Sequence, residues 1–238
     1  TTPTNEIVGT EANITYYIAT TGLNTNDGLT VGTPFKTITY ALSLLPKNIR
    51  HTVTLNVAAG TYNESVTLSG FFGQGQISLL GGTDIATGAN YVVNYLTVDT
   101  CVCPIFITGF TTNTTAQDSV SVDYSSYVQL SYISTIGNTV TYDGFEITAS
   151  HAYLIGCKAV NKNRALYVIN SAVVYSNGWD AASTGNVVGL TASSGGIIFK
   201  NSTQPGGTTA EATTTGMIAG GMLNPAPVAH PTFTGTVV

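Results

Sequence analysis

Charge is what this sequence has least of. Only 8% of its residues are charged, and seven Lys and Arg stand against twelve Asp and Glu, for a net charge of -5. Nucleic-acid binding draws on clustered Lys and Arg facing phosphates, so no nucleic acid is expected among the partners. Sparse charge does not make the chain disordered. Disorder goes with high charge and few aromatics, and here there are 13 Tyr and 8 Phe. Long apolar runs are missing too. None approaches the ~20 residues of a membrane span, so no membrane insertion is expected, and no leader-like segment opens the chain. Cysteine is scarce, and three residues cannot form a complete disulfide set. Cys101 and Cys103 fall on one face of a strand, while distant Cys157 fits no zinc spacing. Small buried thiols are the expectation.

What is present is a repeat. Ser-Val-Ser-Val-Asp from Ser119, Gly-Phe-Glu-Ile-Thr from Gly144, Ala-Leu-Tyr-Val-Ile from Ala165 and Gly-Leu-Thr-Ala-Ser from Gly189 start 25, 21 and 24 residues apart. Each is followed, after a turn of small or polar residues, by a second apolar run, at 127–130, 152–155, 172–175 and 196–199. A repeat of that length is a stacked solenoid. Its Val, Ile, Tyr, Phe and Thr alternate as short strands do, and the offsets of leucine-rich or helical repeats are absent. One coil cannot bury its own inward face, so stacking must close the core. The expected fold is all-β, a right-handed parallel β-helix.

In the first strand of each coil the inward ladder reads Val120, Phe145, Leu166 and Leu190, beside Val122, Ile147, Val168 and Ala192. Ser121, Glu146, Tyr167 and Thr191 then face outward. The second strand drifts by one residue between coils, which leaves its register open.

Upstream, residues 1–15 read as a polar lead-in, although Ile14 to Ala19 has strand character. Asp27 sits alone in a turn-rich stretch and lacks the companion carboxylates of a calcium loop. Thr33 as cap, Pro34 in the first turn and the stripe Ile38, Ala41, Leu42 and Leu45 predict a short helix over 34–45, ended by Pro46 and laid across the open end of the solenoid. The β-helix is expected over 16–205. Residues 206–238 read as a Gly-, Thr- and Ala-rich linker followed by the start of another module.

Two stretches carry a family resemblance. A strand, then Gly60-Thr-Tyr-Asn-Glu64, a strand, a glycine turn and a strand ending in Gly81-Gly82 resembles the first coil of pectin-lyase-like β-helix proteins. The preceding Tyr16-Tyr-Ile-Ala-Thr-Thr-Gly22, Asn26-Asp-Gly28 and Pro34-Phe-Lys-Thr-Ile38 are similar to the opening of bacteriophage tail-spike and tail-fibre β-helices. At the other end, His230-Pro-Thr-Phe-Thr-Gly-Thr-Val237 resembles a connector between modules of phage tail fibres. The resemblance implies a homotrimer in the virion tail, joined to other tail proteins and acting on a glycan at the host cell surface. The Glu of the opening motif, here Glu64, is not catalytic in the pectin methylesterases that share it, so a turn hydrogen bond is expected of it.

The fold does not settle activity, since parallel β-helices serve enzymes and inert shafts alike. Among carboxylates for acid–base work, Asp118, Asp123, Asp143, Glu146 and Asp180 are the candidates. Neighbouring coils lie ~4.8 Å apart, which can bring outward Glu146 and Asp123 to one groove, with Asp143 at the preceding turn. The competing reading is that these are solvated turn carboxylates. Lys162 and Arg164 fall in one turn, without the aspartates that would hold a lyase's calcium. No motif calls for a metal or cofactor. His51 and His151 read as structural. For sugar binding, Trp179 in the turn Asn177-Gly-Trp-Asp180 offers an indole expected to be exposed, flanked by Asn177 and Asp180, with outward Tyr167 and Glu146 nearby. Packing is the competing reading for each tyrosine, and a subunit contact for Trp179. The sequence therefore supports a glycan-binding fibre, a glycan-degrading spike or an inert shaft.

Overall fold

The computed structural model describes residues 8–137 and 140–220. The chain winds as a parallel β-helix, and every strand pair between coils is parallel. Three sheets run along its length, of nine, seven and five strands. The nine-stranded sheet begins with Ile14–Ile18 and ends with Met217–Gly220; the seven-stranded one runs from Ser65–Ser69 to Gly207–Thr214.

The inward ladder of the seven-stranded sheet is the one read from the repeats. Val120 pairs with Phe145, Phe145 with Leu166 and Leu166 with Leu190. All four are fully buried. The second strand, open in the sequence, aligns Val128, Ala152, Val174 and Ile198 inward, and Gln129, Tyr153, Tyr175 and Phe199 outward.

Most coils turn through a left-handed residue on one or both sides of the nine-stranded sheet. Before it stand Gly70, Thr100, Tyr124, Ala149, Ser171 and Ser194; after it stand Gly109, Tyr132, Gly156, Gly178 and Ser202. Except after Ser194 and Ser202, near the end of the solenoid, the residue following each corner is buried. At the first corner Cys101, Ser125 and Ser150 are buried, and Ser125 Oγ and Ser150 Oγ accept from the N–H of Cys101 and Ser125, one coil back (3.0 and 2.9 Å). At the second corner Phe110, Ile133, Cys157 and Trp179 form another core row. The three cysteines are free and buried, and burial pushes the thiols of Cys103 and Cys157 up to about 12.

Three expectations need correction. The capping helix is shorter, Ile38–Ser43, and Thr37 rather than Thr33 caps it, its Oγ1 accepting from Tyr40 N at 3.2 Å. Residues 34 and 35 cannot be helical, because Phe35 bridges to Ile18 as a strand would and Pro34 O accepts from Leu23 N. Thr33 instead donates to Asp27 Oδ1 (2.7 Å) and closes its own loop. The lead-in is anchored by residue 10, where buried Thr10 donates its N–H to Asn48 O and accepts at Oγ1 from the N–H of Arg50 and His51. Finally, 206–220 is no linker. Gly207–Thr214 and Met217–Gly220 form a last coil, paired by backbone to Asn186–Ser193 and Ile197–Asn201. Glu211 takes the register position below Leu190 and is ion-paired to Lys200, so the apolar ladder ends on a charge. Polar terminal repeats close solenoids in this way. The connector-like stretch at 225–237 lies outside the described residues.

Candidate functional site

The seven-stranded sheet opens at a corner where the charged residues gather. Asp118, Asp143 and Arg164 each precede or begin a strand of successive coils, and Glu146 sits one outward position into its strand, beside Ser121 and Tyr167. Carboxylate oxygens of Asp118, Asp143 and Glu146 lie within 4.8 Å of one another. Asp123 is not part of this group; its Oδ2 accepts from Ser121 Oγ at 2.5 Å, and its charge reaches Glu146 only as a weaker repulsion. Of the five sequence candidates the fold thus joins Asp118, Asp143 and Glu146, in place of the expected pair of Glu146 with Asp123.

The group is asymmetric. Asp143 is 1% exposed, and its carboxylate takes four donors: Arg164 Nε (2.9 Å), Nη2 (2.5 Å) and N (3.0 Å), and Asn163 Nδ2 (3.2 Å). Burial pushes Asp143 up and the Arg164 guanidinium works against that. With four donors it is the ionised partner. Asp118 Oδ1 accepts from Asp143 N at 2.6 Å. Glu146 is driven to about 7, first by burial, then by its hydrogen bond to Asp118, then by the charges of Asp118, Asp143 and Asp123. Near neutrality its carboxyl can therefore carry a proton. Fully buried Lys162 donates to Ser119 Oγ (2.8 Å), and burial lowers it to about 8 against the pull of Asp118 and Asp143.

A cation fits this corner poorly. Both oxygens of Asp143 are taken by Arg164, one of Asp118 by a backbone N–H, and the proton on Glu146 already relieves the repulsion a metal would relieve. What the corner can do is hold a carboxylic acid protonated near neutrality beside an ionised carboxylate.

The sequence-predicted sugar site does not assemble. Trp179 is 2% exposed, its indole edge-on to Phe145 (5.3 Å between centroids) and its Nε1 donating to Ser176 Oγ (2.8 Å). It follows the left-handed corner at Gly178 and so points into the core, as Cys157 and Phe110 do after Gly156 and Gly109. That alignment of Gly-Phe, Gly-Cys and Gly-Trp was the available signal. Tyr167 belongs to a different sheet from Asn177, its ring covered by the Arg164 guanidinium at 3.4 Å and its hydroxyl accepting from Ser193 Oγ. Asp180 folds back on its own turn, accepting from Ala182 N.

The outer face of the nine-stranded sheet carries instead a row of half-buried rings: Phe106, Tyr127, Tyr153, Tyr175 and Phe199. Successive centroids stand 5.8, 5.1, 4.8 and 5.2 Å apart. The strand spacing sets this repeat. His151, read from sequence as merely structural, stacks beside Tyr153 and Tyr175, 5.8 Å from each. Elsewhere, Glu64 has the role expected of it, its carboxylate accepting from the N–H of Ile38 and Thr39 at the helix start (both 2.9 Å).

No family model and no curated protein sequence matches the chain. Among solved structures, a rhamnogalacturonan lyase aligns over 87% of this chain and 62% of its own, at 14% identity and a TM-score of 0.33. The chain therefore spans less than two thirds of that protein. The parallel β-helix rests on the strand pairing itself, and a likeness of this degree carries nothing about activity.

Proposed function

We propose that this chain is a segment of a bacteriophage tail fibre or tail spike that binds a host-surface polysaccharide as a homotrimer. The observation that carries the reading is the row from Phe106 to Phe199 on the outer face of a sheet with few charges. Phe106, Tyr153, Tyr175 and Phe199 share one register column, and Tyr127, just before its strand, bridges Phe106 and Tyr153 where the column holds Gln129. Apolar ring surface with phenol hydroxyls at its edge suits the C–H faces and hydroxyls of a linear glycan, and its one-per-coil repeat suits a polymer better than a small molecule. The motif resemblances at 16–82 and 230–237 supply the phage tail setting.

The test is adsorption of the whole chain to host cells with Tyr153→Ala and Tyr175→Ala combined, alongside sedimentation analysis. Adsorption should fall while the trimer mass persists. If the trimer dissociates instead, the row packs subunits together. If neither changes, the chain is a shaft that spaces a receptor site elsewhere.

A second reading, a polysaccharide-degrading spike, is favoured by Glu146 alone. A carboxyl held near 7 is suited to give a proton to a glycosidic oxygen. Release of new chain ends from host polysaccharide, lost in Glu146→Gln, would move the assignment to an enzyme.

A further inference from the structure

We propose that the groove at the corner between the seven- and nine-stranded sheets is a subsite for one neutral pyranose ring, stacked on Tyr124. The inference rests on the glycan-binding reading above and gives it a specific end point. The groove has a volume of about 290 Å³ and spans three coils, with Tyr124 and Ser126 from one, His151 from the next and Ser171 from the third.

Tyr124 is the unusual member of its row. It stands at a left-handed corner with φ of 47°, where neighbouring coils place Gly70, Thr100, Ala149 and Ser194. A bulky aromatic is disfavoured in that conformation, and a small residue would turn the chain equally well. Yet the ring is 63% exposed and has no aromatic neighbour among the described residues. Strain that contributes nothing to packing marks a position held for contact with something else. The rings of the outer row cover one another's faces; Tyr124 leaves its face open.

The rest of the lining suits a sugar. Ser126 and Ser171 offer hydroxyls, and His151 has a buried Nε2 with no hydrogen-bond partner. No Asp, Glu, Lys or Arg lines the groove, so a carboxylated or sulfated sugar would be desolvated there without a counter-charge. A neutral ring exchanges its water for hydroxyl partners at no such cost. His151 joins the groove to the aromatic row by its stacking on Tyr153 and Tyr175, so a polysaccharide lying along the row runs into the groove.

The experiment is saturation-transfer NMR on the whole chain with methyl glycosides of glucose, galactose, mannose and N-acetylglucosamine, and glucuronic acid as the charged control. At least one neutral glycoside should receive saturation. Tyr124→Gly should weaken its binding about tenfold, the loss of one aromatic face, and melt no lower than wild type because glycine accepts the left-handed corner. Tyr124→Phe should keep binding, since the face is kept. Equal binding of glucuronic acid, saturation undiminished in Tyr124→Gly, or no neutral glycoside bound at all would overturn the subsite. In each of those cases cell adsorption of the Tyr153 and Tyr175 variant still decides the broader reading on its own.

Discussion

Replacing Glu146 by Gln should make the protein more stable at pH 8 and change it little at pH 5. The carboxyl of Glu146 is raised from 4.5 to about 7 by burial and by Asp118. A group whose folded value lies above its unfolded one contributes stability that is fully present below the unfolded value. That stability is lost as pH climbs through the folded value. The interval from 4.5 to about 7, at about 1.4 kcal/mol per pH unit, sets a ceiling of roughly 3 kcal/mol. Because the side chain is only half-buried and water screens its neighbours, about 1–2 kcal/mol is the realistic gain for Gln at pH 8. Lys162 works the other way. Its value is lowered from 10.5 to about 8, so the cost of its buried charge disappears as pH rises from 8 towards 10.5. Wild-type stability should therefore fall between pH 5 and 7, pass a minimum near 7–8 and recover towards pH 9. Above that the buried thiols of Cys103 and Cys157, raised from 9 to about 12, take stability away again. Glu146→Gln should flatten only the acid limb. Urea midpoints at fixed protein concentration, with the slope of the transition unchanged, measure this directly. An equal shift at pH 5 and pH 8 would refute the argument, since it would show that packing and not protonation set the effect.

Two further outcomes test the core. Leu166→Ala should cost ~2–5 kcal/mol in denaturant unfolding, whereas outward Tyr167→Ala loses the Arg164 stacking and the hydrogen bond from Ser193 and should cost less; equal losses would put the ladder off by one residue. Trp179→Ala should cost ~3–5 kcal/mol and lower the melting temperature, and an unchanged melting temperature would contradict its place between Phe145 and Ser176.

Where side chains repeat on a two-residue period, the sequence could be read directly. The ladder from Val120 to Leu190 needed only the alternation within each strand and the distance between repeats, because stacking allows one register that buries both Phe145 and Leu166. The helix and the last coil were harder for one shared reason. Phe35 is taken into a β-bridge and Gly207–Thr214 into a sheet edge by backbone pairing alone, which no apolar pattern announces. Composition marks where side chains are buried, and a closing coil that ends the core on Glu211 and Lys200 has the composition of a loop.

The corners explain why the site was less legible than the strands. Trp179 has the neighbours of an exposed turn residue, but a left-handed residue before it reverses the direction of the chain, so turn composition predicts exposure where the geometry gives burial. Asp118, Asp143 and Arg164 each stand immediately before a repeat, at Ser119, Gly144 and Ala165, so their alignment was legible; what the repeat does not announce is that Lys162 and outward Glu146 converge on the same corner. Their convergence still has a physical meaning. Of twelve acidic and seven basic residues, three and two meet at this one corner, two of them fully or almost fully buried. Removing a buried charge's partner costs several kcal/mol, whereas apolar replacement of the whole group is often neutral. A fold that otherwise avoids charge therefore has no stability reason to concentrate it here. The proton on Glu146 that shapes the acid limb of folding is the same proton that glycosidic-bond cleavage would draw on. Any such activity should fall through the same pH range as the stability does, and a degrading activity that persisted unchanged at pH 9 would place its acid elsewhere.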